Sequence, residues 1–338
     1  MKASVDAVDD DLRDSAAAAL RSVGMLGADE EATVEPLAGG VSNDVAVVHG
    51  GGRDFVVKRA LPRLRVSEIW EASPERSFTE AAALRWARGI RPDAVPSVVA
   101  VDRSRNVIVV ELAPTSYDNW KSQLLAGVIR PELGAHLGDL LASWHAASAN
   151  DDAGVLAEFT DQDAFQQLRV RPFYEVAAER NLAAAPTIAE LVDRMSRTRS
   201  ALVHGDFSPK NILVDAAPST ELWVIDWEVA HTGDPVFDVA FLLHHLVCKL
   251  IASPVHAPGL VETAQAFVAS YQAGIDQSLD EAYLVQHVGA LILARVDGKS
   301  PVDYLTAEQR DRARAHGLTL LASDHGRLAD IWSLPDER

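Results

Sequence analysis

The segment from Leu202 to Asp238 constrains this chain more than any other: it reads LVHGDFSPKNILVDAAPSTELWVIDWEVAHTGDPVFD. Two short apolar runs, Ile212-Leu213-Val214 and Leu222-Trp223-Val224-Ile225, are joined by a polar, proline-containing link. That pattern predicts a small hairpin. Asp206 and Asn211 precede the first run and Asp226 follows the second. Pairing the runs would set a carboxylate and an amide oxygen on one side and a second carboxylate on the other. Oxygen donors of this kind suit a hard divalent cation and a hydroxyl that must give up its proton.

Phosphoryl transfer in kinases uses a catalytic Asp, an Asn five residues on and a later metal-binding Asp. The run His204-Gly205-Asp206, then Asn211, then Ile225-Asp226, resembles the aminoglycoside phosphotransferase, choline kinase and methylthioribose kinase superfamily of small-molecule kinases. The resemblance implies an α+β, bilobal protein-kinase-like fold. Its N-lobe would be a five-stranded antiparallel sheet over residues 1–112, and its C-lobe, mostly helical, would cover 113–338. It also implies ATP and Mg²⁺ as cofactors and a small-molecule hydroxyl as acceptor.

Composition sets outer bounds. The chain has 338 residues, 48% of them hydrophobic, enough for a sizeable core. Its one cysteine, Cys248, excludes an internal disulfide and a cysteine-based metal site and fits a reducing, cytoplasmic setting. The acidic start MKASVDAVDDDLRD shows no secretory signal. The most apolar stretch, Val236 to Ser253, is broken by Asp238, two histidines and Lys249, so no membrane span is expected. A net charge of −18 disfavours a nucleic-acid binder. It keeps the chain soluble and would draw in a cationic substrate such as an amino sugar.

In the first lobe, Asp10 to Met25 reads as an amphipathic helix and Thr33 to Leu37 as a short strand. Then come Gly39-Gly40-Val41-Ser42-Asn43-Asp44, the run Val45 to Val48, the turn Gly50-Gly51-Gly52 and the run Phe55-Val56-Val57-Lys58. Strand, loop, strand, turn, strand makes an antiparallel meander. Glycines at 39 and 40 would let the backbone approach phosphates, with amides and the Ser42 hydroxyl donating. The G-V-S-N wording resembles the superfamily's nucleotide-binding loop, which would also enlist Asn43. Lys58 is then the lysine for the nucleotide's α- and β-phosphates.

Ser77-Phe78-Thr79-Glu80 opens a helix, and Ser77 with Glu80 spells a capping box. Glu80 is also the first candidate to orient Lys58, as the helix glutamate does in kinases, with Glu71 and Glu75 in competition. Two further runs, Ser97 to Val101 and Asn106 to Leu112, extend the sheet. The exit Glu111-Leu112-Ala113-Pro114 corresponds to the family's adenine-gripping hinge, where the main chains of Glu111 and Ala113 would bind.

In the second lobe, Pro131 starts a helix carrying Leu137-Gly138-x-x-Leu141-Ala142-x-x-His145, which resembles the superfamily helix beneath the catalytic loop. His145 reads as a core histidine. By the same resemblance, the catalytic residue Asp206 would accept the proton of the substrate hydroxyl or orient it, and Asn211 with Asp226 would hold Mg²⁺. Glu228 makes a D-x-E pair with Asp226, as in methylthioribose kinases, and reads equally as a third metal ligand or a local hydrogen-bond acceptor. Lys210 would touch the transferred phosphoryl group or face solvent. Asp238, at the start of the next helix, is expected to play a structural role, capping and bracing the catalytic loop. Arg295, in a short R-x-x-G match, would act on the acceptor or its phosphoryl group or lie on the surface. The sequence leaves open the acceptor, ATP against GTP, and the oligomeric state. The competing class is a nucleotide-binding regulatory pseudokinase with little turnover.

Overall fold

The alternating apolar runs between Thr33 and Glu111 pair into one antiparallel sheet. The structure is a computed structural model that describes residues 10–37, 42–65, 70–151, 154–217 and 219–334. It divides into two units, Met1–Thr115 with Trp223–Val229, and Ser116–Leu222 with Ala230–Arg338. The first unit therefore takes in the distant segment that carries Asp226 and Glu228, which a division at 112/113 assigns to the helical part. The architecture is α+β and protein-kinase-like.

In the first unit, helix α1 (Asp10–Ser22) precedes strands β1 (Thr33–Pro36), β2 (Asn43–Gly50) and β3 (Arg53–Ala60). Helix α2 (Arg76–Ile90), β4 (Val98–Asp102) and β5 (Val107–Glu111) follow. The sheet order is β1-β2-β3-β5-β4. The tight β2–β3 turn rests on Gly51 and Gly52, at φ +63 and +71, and a Cβ on Gly51 would lie 2.1 Å from the Met25 carbonyl oxygen. Only glycine fits there. Leu12, Ala16 and Leu20 of α1 form a core with Val48, Phe55, Val57 and Val109. Side chains alternate along a strand, so with Phe55 and Val57 turned to α1, Lys58 turns to the other face.

The expected capping box at the start of α2 does not form. The helix begins at Arg76, its N-cap is Glu75 without a side-chain cap bond, and Ser77 is buried inside the first turn. The Glu80 carboxylate is drawn instead to Lys58, an ion pair that outweighs a neutral capping bond.

The second unit is mostly helical. It contains β6 (Tyr117–Asn119), α3 (Trp120–Leu125), α4 (Pro131–Ala149) and the short α5 (Val155–Glu158), α6 (Asp163–Phe165) and α7 (Val176–Arg180). Between α6 and α7 the chain is π-helical over Gln166–Glu175, a wide-pitched form that recurs at functional sites. Then come α8 (Ala185–Arg197), β7 (Ala201–Val203), β8 (Ile212–Asp215), β9 (Leu222–Val224, which crosses into the first unit) and β10 (His231–Gly233). Helices α9 (Val236–Ala252), α10 (Ala257–Ala273), α11 (Glu281–Asp297) and α12 (Ala307–Leu321) complete it. Every residue of α9 from Val236 to Ile251 is buried. Gly134 and Gly138 let α4 press on α10: a Cβ at Gly138 would stand 2.2 Å from the Phe267 carbonyl oxygen. Among the described residues no helix is long and apolar enough to cross a membrane.

Candidate active site

The candidate residues fall into two groups, one in each unit. In the first, Lys58 extends its Nζ to Glu80 Oε1 at 2.6 Å and to Asp226 Oδ1 at 2.7 Å. Burial works against charge on Lys58. Asp226, Glu80 and Glu228 outweigh it and hold the ammonium protonated, well above the ordinary lysine range. Glu80 is pushed up by its own burial, with Lys58 pulling the other way and the carboxylates of Asp226 and Glu228 adding to the rise. Asp226 sits at φ +70, in the left-handed region that non-glycine residues rarely enter. Such strain gathers at functional sites.

Glu228, two residues on, is 4% exposed. Its Oε2 accepts from Asn43 Nδ2 at 2.9 Å and from Arg76 Nε at 3.1 Å. Arg76, 2% exposed, also donates from one terminal nitrogen to the carbonyls of Ala72 and Ser73 and from the other to those of Ser42 and Leu61. All five guanidinium N–H groups are thereby used. One side chain thus ties the end of the glycine-rich loop, the exit of β3, the start of α2 and the Asp226–Glu228 turn. Sequence reasoning missed Arg76. The available signal was a cation in a first helical turn, where the helix dipole disfavours it.

Ser42 and Asn43 lie at the entry to β2, and Asn43 Nδ2 also reaches Ser42 Oγ at 3.1 Å. Gly39 and Gly40 fall outside the described residues. Glu111 ends β5; its carboxylate accepts from the Ser97 amide and hydroxyl at 3.2 and 2.8 Å, and Ala113 follows in irregular chain.

In the second unit, Asp206 is 3% exposed and its Oδ2 meets Arg169, Lys210 Nζ and Asn211 Nδ2, each at 2.8 Å. Asn211 also donates to the Asp206 carbonyl at 3.0 Å. With its N–H groups turned to Asp206, its amide oxygen is the atom left to face a cation. Arg169 comes from the π-helical stretch and further donates to the Gly205 carbonyl at 2.7 Å. It too was missed, because a charged residue in a charged helix carries no signal in a sequence alone. Lys210 is half exposed on its side chain.

The loop is braced from below. Asp238 accepts the His204 amide at 2.7 Å and the Gly205 amide at 2.9 Å, and His145 Nε2 lies 3.2 Å from it. His145 Nδ1 in turn meets the Tyr271 hydroxyl at 2.8 Å. Burial would raise the Asp238 carboxyl, but His145 and the amide bonds bring it below the ordinary value. Asp238 does not cap α9: the N-cap is Pro235, and the side chain that meets the helix start is Asp234, whose Oδ1 accepts the Val236 amide at 3.1 Å. Both carboxylate oxygens of Asp238 are engaged elsewhere, Oδ2 by the His204 amide and His145 and Oδ1 by the Gly205 amide. Arg295 is half-buried on α11, donates to Ser300 Oγ at 3.1 Å and feels the charge of Asp206.

The family described as "Phosphotransferase enzyme family" matches residues 33–283. Methylthioribose kinase 1 of Oryza sativa subsp. japonica is 28% identical over 252 residues, covering 67% of this chain and 58% of its own length. Methylthioribose kinase of Exiguobacterium sibiricum is 28% identical over 259 residues, covering 67% and 64%. The chain therefore spans about three-fifths of the length of the curated relatives it matches. Among solved structures, a choline/ethanolamine kinase family protein from Mesorhizobium loti aligns with TM-score 0.53 at 18% identity, covering 96% of this chain and 97% of that one. A microcompartment-associated aminopropanol kinase aligns with TM-score 0.54 at 18% identity, covering 90% and 94%. At such identity these two speak to the fold.

Proposed function

The chain belongs to the phosphotransferase enzyme family, and we propose that it transfers the γ-phosphoryl group of ATP to a hydroxyl of a small molecule, a sugar, amino sugar or aminoglycoside-like compound. The observation that carries this reading is Asp206. It is a buried carboxylate on a loop braced by Asp238, with Asn211 fixed against it. Asp206 would orient the acceptor hydroxyl and take its proton as the new bond to phosphorus forms.

Lys58, held charged between Glu80 and Asp226, would pair with the α- and β-phosphates. The loop with Gly39, Gly40, Ser42 and Asn43 would donate to phosphate oxygens, and the main chain at Glu111 and Ala113 would hold adenine. The amide oxygen of Asn211 and the carboxylate of Asp226 are hard oxygen donors of the kind that suits Mg²⁺, and both would serve as its ligands. When bound, that ion offsets charge on the phosphates. Glu228 gives Oε2 to Asn43 and Arg76, so Oε1 is its contribution to a metal if it makes one. Lys210, beside Asp206, would touch the transferred group. The methylthioribose kinases named above support a hydroxyl on a small polyol, and the intact Lys58, Asp206, Asn211 and Asp226 support turnover over a purely regulatory role.

The test is ADP release by the purified chain with ATP and Mg²⁺, alone and with a panel of sugars, sugar acids and amino sugars. Release should depend on one acceptor class. Asp206→Asn should cut that rate by ~10²–10⁴-fold, the range for a general base, while calorimetry shows ATP binding intact. No acceptor-dependent release, or a variant keeping more than about a tenth of the rate, would overturn the assignment.

A further inference from the structure

One cluster in the second unit has no part in the reading above. Lys249, on α9, is 2% exposed, and its Nζ makes one long hydrogen bond, 3.4 Å to the His245 carbonyl. The ammonium lies 5.7 Å from the ring centre of Tyr304, and Lys121 Nζ lies 5.9 Å from the same ring. Both charges therefore lean on one aromatic ring. The Tyr304 hydroxyl and Arg295 Nε are shut off from solvent without a hydrogen-bond partner. Among the described residues no carboxylate pairs with Lys249 or Arg295. Arg295 feels Asp206, but that carboxylate is already met by Arg169 and Lys210.

Lys249 and Tyr304 line a groove of about 370 Å³, together with Leu124, Leu260, Ser253 and His256. A buried cation without a counter-charge and an orphaned hydroxyl are costly unless something supplies the missing partner. Water could hydrate the ammonium, yet it brings no counter-charge to three neighbouring cations. A neutral polyol brings hydroxyls only. A cationic ligand would add to the repulsion. An oxyanion would supply acceptors to the Tyr304 hydroxyl and Lys249 ammonium and offset the charge, in charge-assisted bonds about twice as strong as neutral ones.

We propose that this groove receives a carboxylate or phosphate carried by the small-molecule acceptor, so that the acceptor is an anionic polyol. The inference rests on the kinase reading given above. Lys249 and Tyr304 hold the anion, with Lys121 and Arg295 adding field. Burial pulls the Lys249 ammonium down to about 7, and Lys121 and Arg295 press the same way against Cys248. An arriving anion would restore its charge, consistent with a site built to be completed by a ligand.

The probes are inorganic phosphate, gluconate, its neutral counterpart sorbitol and the cationic glucosamine, each titrated into the full chain saturated with a non-hydrolysable ATP analogue and Mg²⁺. Phosphate and gluconate should bind and raise the melting temperature, and sorbitol and glucosamine should bind at least about tenfold more weakly. Lys249→Met and the milder Tyr304→Phe should each weaken gluconate by at least about tenfold, one lost bond to a charged group, with affinity for the ATP analogue unchanged as proof of folding. Equal binding of gluconate and sorbitol, or anion binding untouched in both variants, overturns the anion site. Turnover with a neutral or cationic acceptor alone would do so too and leave the kinase reading standing. Anion binding that depends on Lys249 without phosphorylation of any acceptor class would instead remove the kinase reading on which the proposal depends.

Discussion

Two buried lysines, Lys58 and Lys249, do opposite things. Lys58 ends an apolar run and Lys249 interrupts one, and each is at most 9% exposed. Lys58 has two carboxylate oxygens within 2.7 Å and stays charged. Lys249 has a carbonyl at 3.4 Å and cations for neighbours, and its proton is loosened to about 7. Burial works against charge on both, so partners set the outcome. A lysine whose charge is fixed suits permanent neutralisation of a nucleotide's phosphates. One whose charge is incomplete suits a ligand that brings its own. The overall charge of −18 predicts attraction of cations at long range, yet the local surplus around Lys249 is positive. At contact distance the local field decides.

The largest effect expected from breaking this contrast is at Lys58. Lys58→Met removes the cation and leaves Glu80 and Asp226 facing each other without it. Removing one member of a buried ion pair costs about 3–5 kcal/mol, and part of that will be recovered because Glu80 can take up a proton. Denaturant unfolding should show a clear loss of stability, and ATP affinity should fall with it. An equally stable variant would mean that the carboxylates carry the cluster without the lysine, and the contrast with Lys249 would disappear.

A second, smaller effect separates the two roles open to Glu228. Glu228→Ala strips Arg76 Nε and Asn43 of their acceptor, at a cost of about 1.5–3 kcal/mol for a hydrogen bond to a charged group. If Glu228 braces the turn, stability drops and the Mg²⁺ concentration for half-maximal nucleotide binding stays within about twofold. If it ligates metal, that concentration climbs as it should for Asp226→Ala. The two alanine variants, titrated side by side, therefore tell brace from ligand.

The sequence carried one lysine of the pair and not the other, for a physical reason. Lys58 was legible because glycine-rich loop, lysine, helix glutamate and distant aspartate stand in a fixed order along the chain. Lys249 looked only like an interruption in an apolar run, since its meaning comes from Tyr304, Lys121 and Arg295, three residues that share no motif. Strands, helices and the spacing from Asp206 to Asn211 could be read from periodicity and residue type. Arg169 could not, and Arg76 showed only as a cation in a first helical turn, because each acts on carboxylates and main-chain carbonyls brought near by folding. The capping box failed for a related reason: a local pattern at Ser77 and Glu80 lost to a charge 22 residues away. The acceptor was out of reach because the groove is assembled from α3, α9, α10 and the chain after α11.

The smallest expected effect is also the one with the least usual sign. Lys249→Met should leave the protein as stable as before or raise its stability near pH 7, by on the order of 1 kcal/mol or more, because it exchanges a costly buried ammonium for an apolar side chain of similar length. The pH dependence gives the sharper readout. The folded pKa of Lys249, about 7, lies below the ordinary 10.5. Between those values the unfolded chain binds the proton more fully than the folded one, so this group makes stability rise as pH rises across the window. Below about 7 both states hold the proton and the contribution is flat at its least favourable. Lys249→Met should therefore gain most over the wild type at and below about pH 7, and the gain should shrink toward about pH 10. Urea melts of both proteins at about pH 7 and about pH 9 would test it. A wild-type slope that survives the substitution unchanged would place the titrating group elsewhere, and Lys249 would then resemble Lys58 in holding a fixed charge.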